Sequence, residues 1–159
     1  MRKCVDRRLS VVQSDFTKPT DNQKYKLGER VIVEDTDSNI SETWIYVKAD
    51  TPVEKGTPLV MYEDGKVDVI AGPNIISRTV VIPQFDVAVG QYALMQYKGA
   101  CQAKTSTPHT PFEYFKTTAT EVEQELLSQN TIGYFVGTKT GDTAELVDVV
   151  LFGRQARAL

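Results

Sequence analysis

Leu59-Val-Met-Tyr-Glu-Asp-Gly-Lys-Val-Asp-Val-Ile70 is two short apolar runs folded about Asp64-Gly65. Asp-Gly between such runs is a strong hairpin signal, because the glycine accepts the positive φ that a tight reversal needs. The same grammar extends outward in both directions. Upstream, Arg30–Val33 and Trp44–Val47 are β-branched and aromatic, a fit for a pleated surface. Downstream come Thr79–Ile82, the long run Gln91–Tyr97, a Lys98-Gly99 turn and Ala100–Ala103. The chain then reads Ile132-Gly-Tyr-Phe-Val, turns over Thr138-Lys-Thr-Gly-Asp-Thr143, and closes on Leu146-Val-Asp-Val-Val-Leu-Phe152. Short apolar runs punctuated by Gly, Asp and Pro specify a mainly β body, a compact β-sandwich or barrel.

In Gln91–Tyr97 apolar or aromatic residues fall on both faces: Tyr92 and Leu94 on one, Ala93, Met95 and Tyr97 on the other. A strand covered on both sides suits a sandwich or a subunit interface. Tyr92, Leu94, Met95 and Tyr97 are therefore the candidate contact residues of the body. One helix is expected at about residues 120–130, peripheral to the core. Thr120 and Glu123 form a capping box, the first turn is acidic, and Val122, Leu126 and Leu127 give a narrow apolar stripe.

Residues 1–27 are turn-rich and poor in hydrophobes, with Leu9, Val11, Val12 and Phe16 as anchors and a short strand expected at Leu9–Val12. They read as an extended N-terminal arm on a body spanning 28–159. Residues 1–30 carry eight Lys/Arg against four acids, +4, while the whole chain is −3, so the remainder is −7. A basic leader on an acidic body suits an interaction arm, with Arg2, Lys3, Arg7 and Arg8 as its contact residues. The small overall negative charge argues against nucleic acid as partner.

The 159 residues suit one domain, with 41% apolar and 25% charged residues typical of a globular protein. No run approaches the ~20 apolar residues of a membrane helix. Asp6-Arg7-Arg8 interrupts any apolar core behind Arg2-Lys3, so no export signal is expected and the chain should mature in a reducing cytoplasm. Two cysteines, Cys4 and Cys101, do not make a disulfide framework.

No catalytic set assembles along the chain. Gly133 to Thr140 mimics a phosphate loop, but only three residues separate Gly133 and Gly137, and strand rather than helix follows. Asp35, Asp37 and Asn39 begin like a calcium loop, yet Ile40 and Tyr46 stand where Gly and Glu are required. His109, the sole histidine, lacks partners at metal-ligand spacing. A pair with Cys101 would further need an orienting group and an oxyanion site. No metal or cofactor is expected. The aromatic group Tyr92, Tyr97, Phe112, Tyr114 and Phe115 reads as core or subunit-interface packing rather than a stacking platform for bases, since few cations interleave it.

Val53-Glu-Lys-Gly-Thr-Pro-Leu-Val60, the Asp-Gly hairpin, Val89-Gly-Gln-Tyr-Ala-Leu-Met-Gln-Tyr-Lys-Gly-Ala-Cys-Gln-Ala103 and the closing hairpin to Gly153 follow one another in a familiar order. Over about residues 52–153 the chain resembles the β-rich head decoration (cement) proteins of tailed bacteriophages. That resemblance implies a non-enzymatic virion protein, made in the host cytoplasm and bound to the capsid surface. It would clamp neighbouring major capsid subunits as a homotrimer or, second, a dimer. From a different class, a small-ligand or carbohydrate-binding β-barrel, such as a tail or receptor-binding accessory domain, would place Trp44, Tyr46 or Tyr62 in a pocket.

Overall fold

The computed structural model describes residues 2–4, 11–35, 37, 40–70, 78–118, 120–125 and 131–153. Eleven strands run in chain order: β1 Arg2–Cys4, β2 Arg30–Asp35, β3 Ile40–Ala49, β4 Leu59–Met61, β5 Lys66–Val69 and β6 Thr79–Val81. They continue with β7 Tyr92–Thr105, β8 Tyr114–Thr117, β9 Val122–Glu125, β10 Gly133–Phe135 and β11 Glu145–Phe152. All belong to one sheet, ordered β6-β4-β5-β3-β7-β11-β10-β8-β9, with β2 branching from β3 and β1 lying on β2. The mainly β expectation holds. The sheet curls into a half-barrel rather than dividing into a sandwich of two.

The expected helix is absent where it can be seen. Val122–Glu125 is strand β9, paired antiparallel to β8 with Lys116 opposite Glu123 and Phe115 opposite Gln124; residues 126–130 lie outside the described residues. The letters Val-Glu-Gln-Glu satisfy a period of two as readily as a helical stripe. Tertiary partners settle the choice. Val122 is fully buried in a core with Phe115 and Phe135, and its carbonyl accepts the Thr105 hydroxyl at 2.6 Å. The Glu121 carboxylate accepts from the backbone N–H and hydroxyl of Ser106, at 2.7 and 2.6 Å, so it does not cap a helix. The described helical structure is a 3-10 turn at Gln13–Phe16.

The Asp-Gly hairpin forms as read. Gly65 has φ +78, its N–H donates to Tyr62 O at 3.0 Å, and β4 and β5 pair on either side. A side chain there would also strike Leu27, whose Cβ lies 2.5 Å from the place of a Cβ on Gly65. Gly56 is fixed similarly. Its φ is +81, and it stands between Pro83 and β7, its N–H donating to Pro83 O at 2.8 Å and its carbonyl accepting from Lys104 N–H at 2.9 Å.

Lys98-Gly99 is not a turn. β7 runs through it as one fourteen-residue strand. Thr43 pairs with Lys98 while Trp44 pairs with Gln96, so Tyr97 is an extra, bulged residue. Beyond the bulge β3 leaves β7, and the released backbone groups find other partners. The Gln96 side-chain amide donates to Lys98 O and Ala100 O, at 3.2 and 2.8 Å. The Gln84 amide pairs with both backbone groups of Gln102, donating at 3.0 Å and accepting at 2.9 Å, so it acts as a one-residue strand.

Three cores result. Ile45, Val47, Ala93, Met95 and Tyr97 face one side of β3 and β7 with Leu59, Val67 and Val81. Trp44, Tyr46 and Leu94 face the other, covered by Phe16 with Val11, Tyr25 and Leu27 packed around them. The third core joins β7–β11: Ala103, Phe115, Val122, Phe135, Val149 and Leu151. Residues 11–27, read as part of an extended arm, thus lie against the sheet as a strap. Phe16 meets Trp44 edge-on at 5.2 Å, and Thr20 and Tyr92 exchange two backbone hydrogen bonds of 2.9 Å. Val11 and Val12 are not in a strand, and residues 9 and 10 lie outside the described residues.

Candidate functional site

The contact residues named from sequence divide sharply. Leu94 and Met95 have no exposed surface, because the two cores that flank β7 belong to this same chain. They cannot touch a partner in this conformation. Two-faced burial of Gln91–Tyr97 needs no second subunit, since the strap supplies the cover. Tyr97 is nearly enclosed, its hydroxyl donating to Gly153 O at 2.5 Å and its ring lying under the Arg30 guanidinium. Tyr92 is half-buried beside Tyr46 with Lys48 Nζ above its ring. In the arm, Arg2 stands opposite Asp35 and Lys3 opposite Glu34 in the β1–β2 backbone register. Arg7 and Arg8 lie outside the described residues.

A pocket of Trp44 and Tyr46 does not exist, since both are closed in the strap-covered core. The Trp44 indole N–H is held by Glu42 at 2.8 Å. Tyr62 is half-buried with the Arg78 guanidinium over its ring.

Cys101 and His109 do not form a nucleophile–base pair. Partial burial against the third core, with the nearby Glu42 and Asp148 carboxylates, pushes the Cys101 thiol above its ordinary range, which suppresses the reactive thiolate. The His109 ring stacks on Phe135 at 3.7 Å, and its Nδ1 meets Thr107 O at 3.0 Å, so Nδ1 carries the proton. Lys139, paired to His109 by a backbone bridge, turns its buried ammonium to Gly141 O, with Glu145 at 3.8 Å. Among the described residues no group of three or more His, Cys, Asp or Glu could hold a metal ion, and no helix is long and apolar enough to cross a membrane.

The feature least expected from sequence is on the outside of the sheet. Phe112 is 74% exposed and has φ +67, the one positive φ on a described non-glycine residue. It follows Pro111 in a turn that the Glu113 N–H closes onto Thr110 O at 3.4 Å. Pro at the second place and a positive φ at the third define a type II turn, whose third place ordinarily takes Gly or Asn. A bulky side chain there costs about 1–2 kcal/mol. The strained turn aims an apolar ring at solvent, 5.8 Å from Tyr134. Tyr134 lies 5.9 Å from Phe152, and Phe152 lies 6.3 Å from Tyr114. Tyr114, Tyr134 and Val150 stand side by side across β8, β10 and β11. Proline signals the turn in the sequence, but nothing in the letters marks the next residue as left-handed.

A curled, branched, mainly antiparallel sheet, with β5 parallel to β3, an N-terminal strap and a half-exposed aromatic outer face, defines a class by its architecture. No family model matches the chain, and no curated protein does. Among solved structures, the head fibre gp8.5 N base of bacteriophage phi29 has a similar fold, with a TM-score of 0.51 and 14% identity. The match covers 74% of this chain and 98% of that one.

Proposed function

We propose that this protein is a non-enzymatic structural component of a phage virion that sits on the outside of the head and stabilises contacts between major capsid subunits. It works as a homo-oligomer, a trimer before a dimer, without nucleic acid or membrane as partner. The supporting observation is the likeness of fold to a head fibre base across nearly that whole chain. The order of motifs from Val53 to Gly153, similar to that of head decoration proteins, points the same way. A single curled sheet suits such work because it presents broad faces to its neighbours. On a repeating lattice, several individually weak contacts per oligomer add up to firm retention.

The test is co-sedimentation of the purified chain with heads assembled from the major capsid protein of the parent phage. Saturable binding at a fixed ratio to capsid subunits, with raised resistance of the heads to heat, is the expected result. Absence of binding to heads of any maturation state overturns the reading.

A further inference from the structure

The outer face of β8, β10 and β11 breaks the usual pattern of an antiparallel sheet, in which the side away from the core is polar. Phe112, Tyr114, Tyr134, Val136, Val150 and Phe152 all lie on it, and none belongs to a core cluster. Phe112, the most exposed large hydrophobic among the described residues, and Val136 are 74% and 45% exposed. The strained turn under Phe112 is a second, independent sign, since strain of this kind collects at functional positions.

We propose that this face is the contact between copies of the chain. Its charges favour a second copy. Lys98 and Lys116 border the patch, as do the positions of Glu123, Glu125 and Asp148, so both signs surround it. A face of both signs can meet its own kind with each lysine against a carboxylate, as a self-complementary interface requires. Its size also fits. With roughly 200 Å² for a whole aromatic side chain, Phe112 alone leaves about 150 Å² open. The other five bring the patch to on the order of 400 Å², and a polar rim carries it toward the ~800 Å² per partner of a standard interface.

The proposal rests on the self-association part of the reading above and not on attachment to a head. Sedimentation equilibrium of the purified chain at micromolar concentration tests it, with Phe112→Asn and Tyr134→Ser as variants. Asparagine tolerates the positive φ, so Phe112→Asn should fold at least as well as the parent by thermal melt. The expected result is a mass of two or more chains for the parent and at least tenfold weaker association for each variant. A monomeric parent sinks both this proposal and the self-association reading. A parent oligomer that neither variant weakens removes this face alone and leaves self-association standing. If Tyr134→Ser does not fold, Phe112→Asn decides by itself.

Discussion

Phe16→Ala tests whether the strap is part of the folded body. The ring is 4% exposed and packs edge-on against Trp44, which is fully buried and the only tryptophan in the chain. Emptying a buried aromatic site costs about 3–5 kcal/mol when the surroundings cannot relax. Here they can relax, because the strap can let go. The loss is therefore capped by the free energy of docking residues 11–27. That docking includes Phe16, the partly buried Val11, Tyr25 and Leu27, the Thr20–Tyr92 exchange and the Lys24 N–H bond to Tyr46 Oη at 2.9 Å. A value near 3 kcal/mol is expected, which for a chain of this size lowers the melting temperature by roughly 6–12 °C. Release of the strap wets Trp44, Tyr46 and Leu94, so tryptophan emission should shift red before global unfolding. Hydrogen exchange at Thr20, Lys24 and Tyr92 should accelerate in the same variant. A loss below about 1 kcal/mol with unchanged emission would refute the reasoning, because ordinary surface substitutions stay within that range.

Three further outcomes are expected. Asp15 is buried; burial raises its pKa, but hydrogen bonds from Lys24, Tyr25 and the Val12 N–H, with the charge of Lys24, outweigh this and hold it below the ordinary 3.8. Its contribution is thus complete above the unfolded value and disappears as pH falls through the lower folded one; a red shift of Trp44 emission below about pH 4 that Asp15→Asn abolishes checks the sign. Gln84→Ala strips Gln102 of two partners at a half-exposed site where water can partly replace them, so a loss of about 1–2 kcal/mol is expected in urea titration. Gln84→Glu should also destabilise at neutral pH, since a carboxylate would face the Gln102 carbonyl; a neutral result for both would remove the one-residue-strand account. Cys101 should resist alkylation at pH 8 until the protein is unfolded, as peptide mass mapping would read; rapid native labelling would contradict the raised thiol pKa.

Local chemistry made much of the fold legible. Asp64-Gly65 specified its hairpin, Trp44–Val47 and Gln91–Tyr97 their strands, and the run to Phe152 the closing pair, because each stretch meets its turn or pairing requirement within a few residues. Non-local requirements were misread. Val122–Glu125 has helical capping letters, but a Thr105 hydroxyl seventeen residues away and the buried ring of Phe115 draw it into the sheet. Lys98-Gly99 resembles a turn, and only pairing with β3 and β11 shows that the strand runs through it, with the bulge one residue earlier at Tyr97. Two-faced apolarity in β7 showed correctly that both sides are covered, yet periodicity has no term for the identity of the cover. A strap from the same chain and a sister subunit leave the same pattern in Tyr92–Tyr97. The difference lies in Phe16, a lone aromatic in a polar leader. Its weight comes from the ring it meets, and Trp44 is twenty-eight residues away. The outer aromatic face inverts the problem. Tyr134, Val150 and Phe152 look like core letters, and it is their alternation with Phe135, Val149 and Leu151, which already fill the core, that turns them to the outer face.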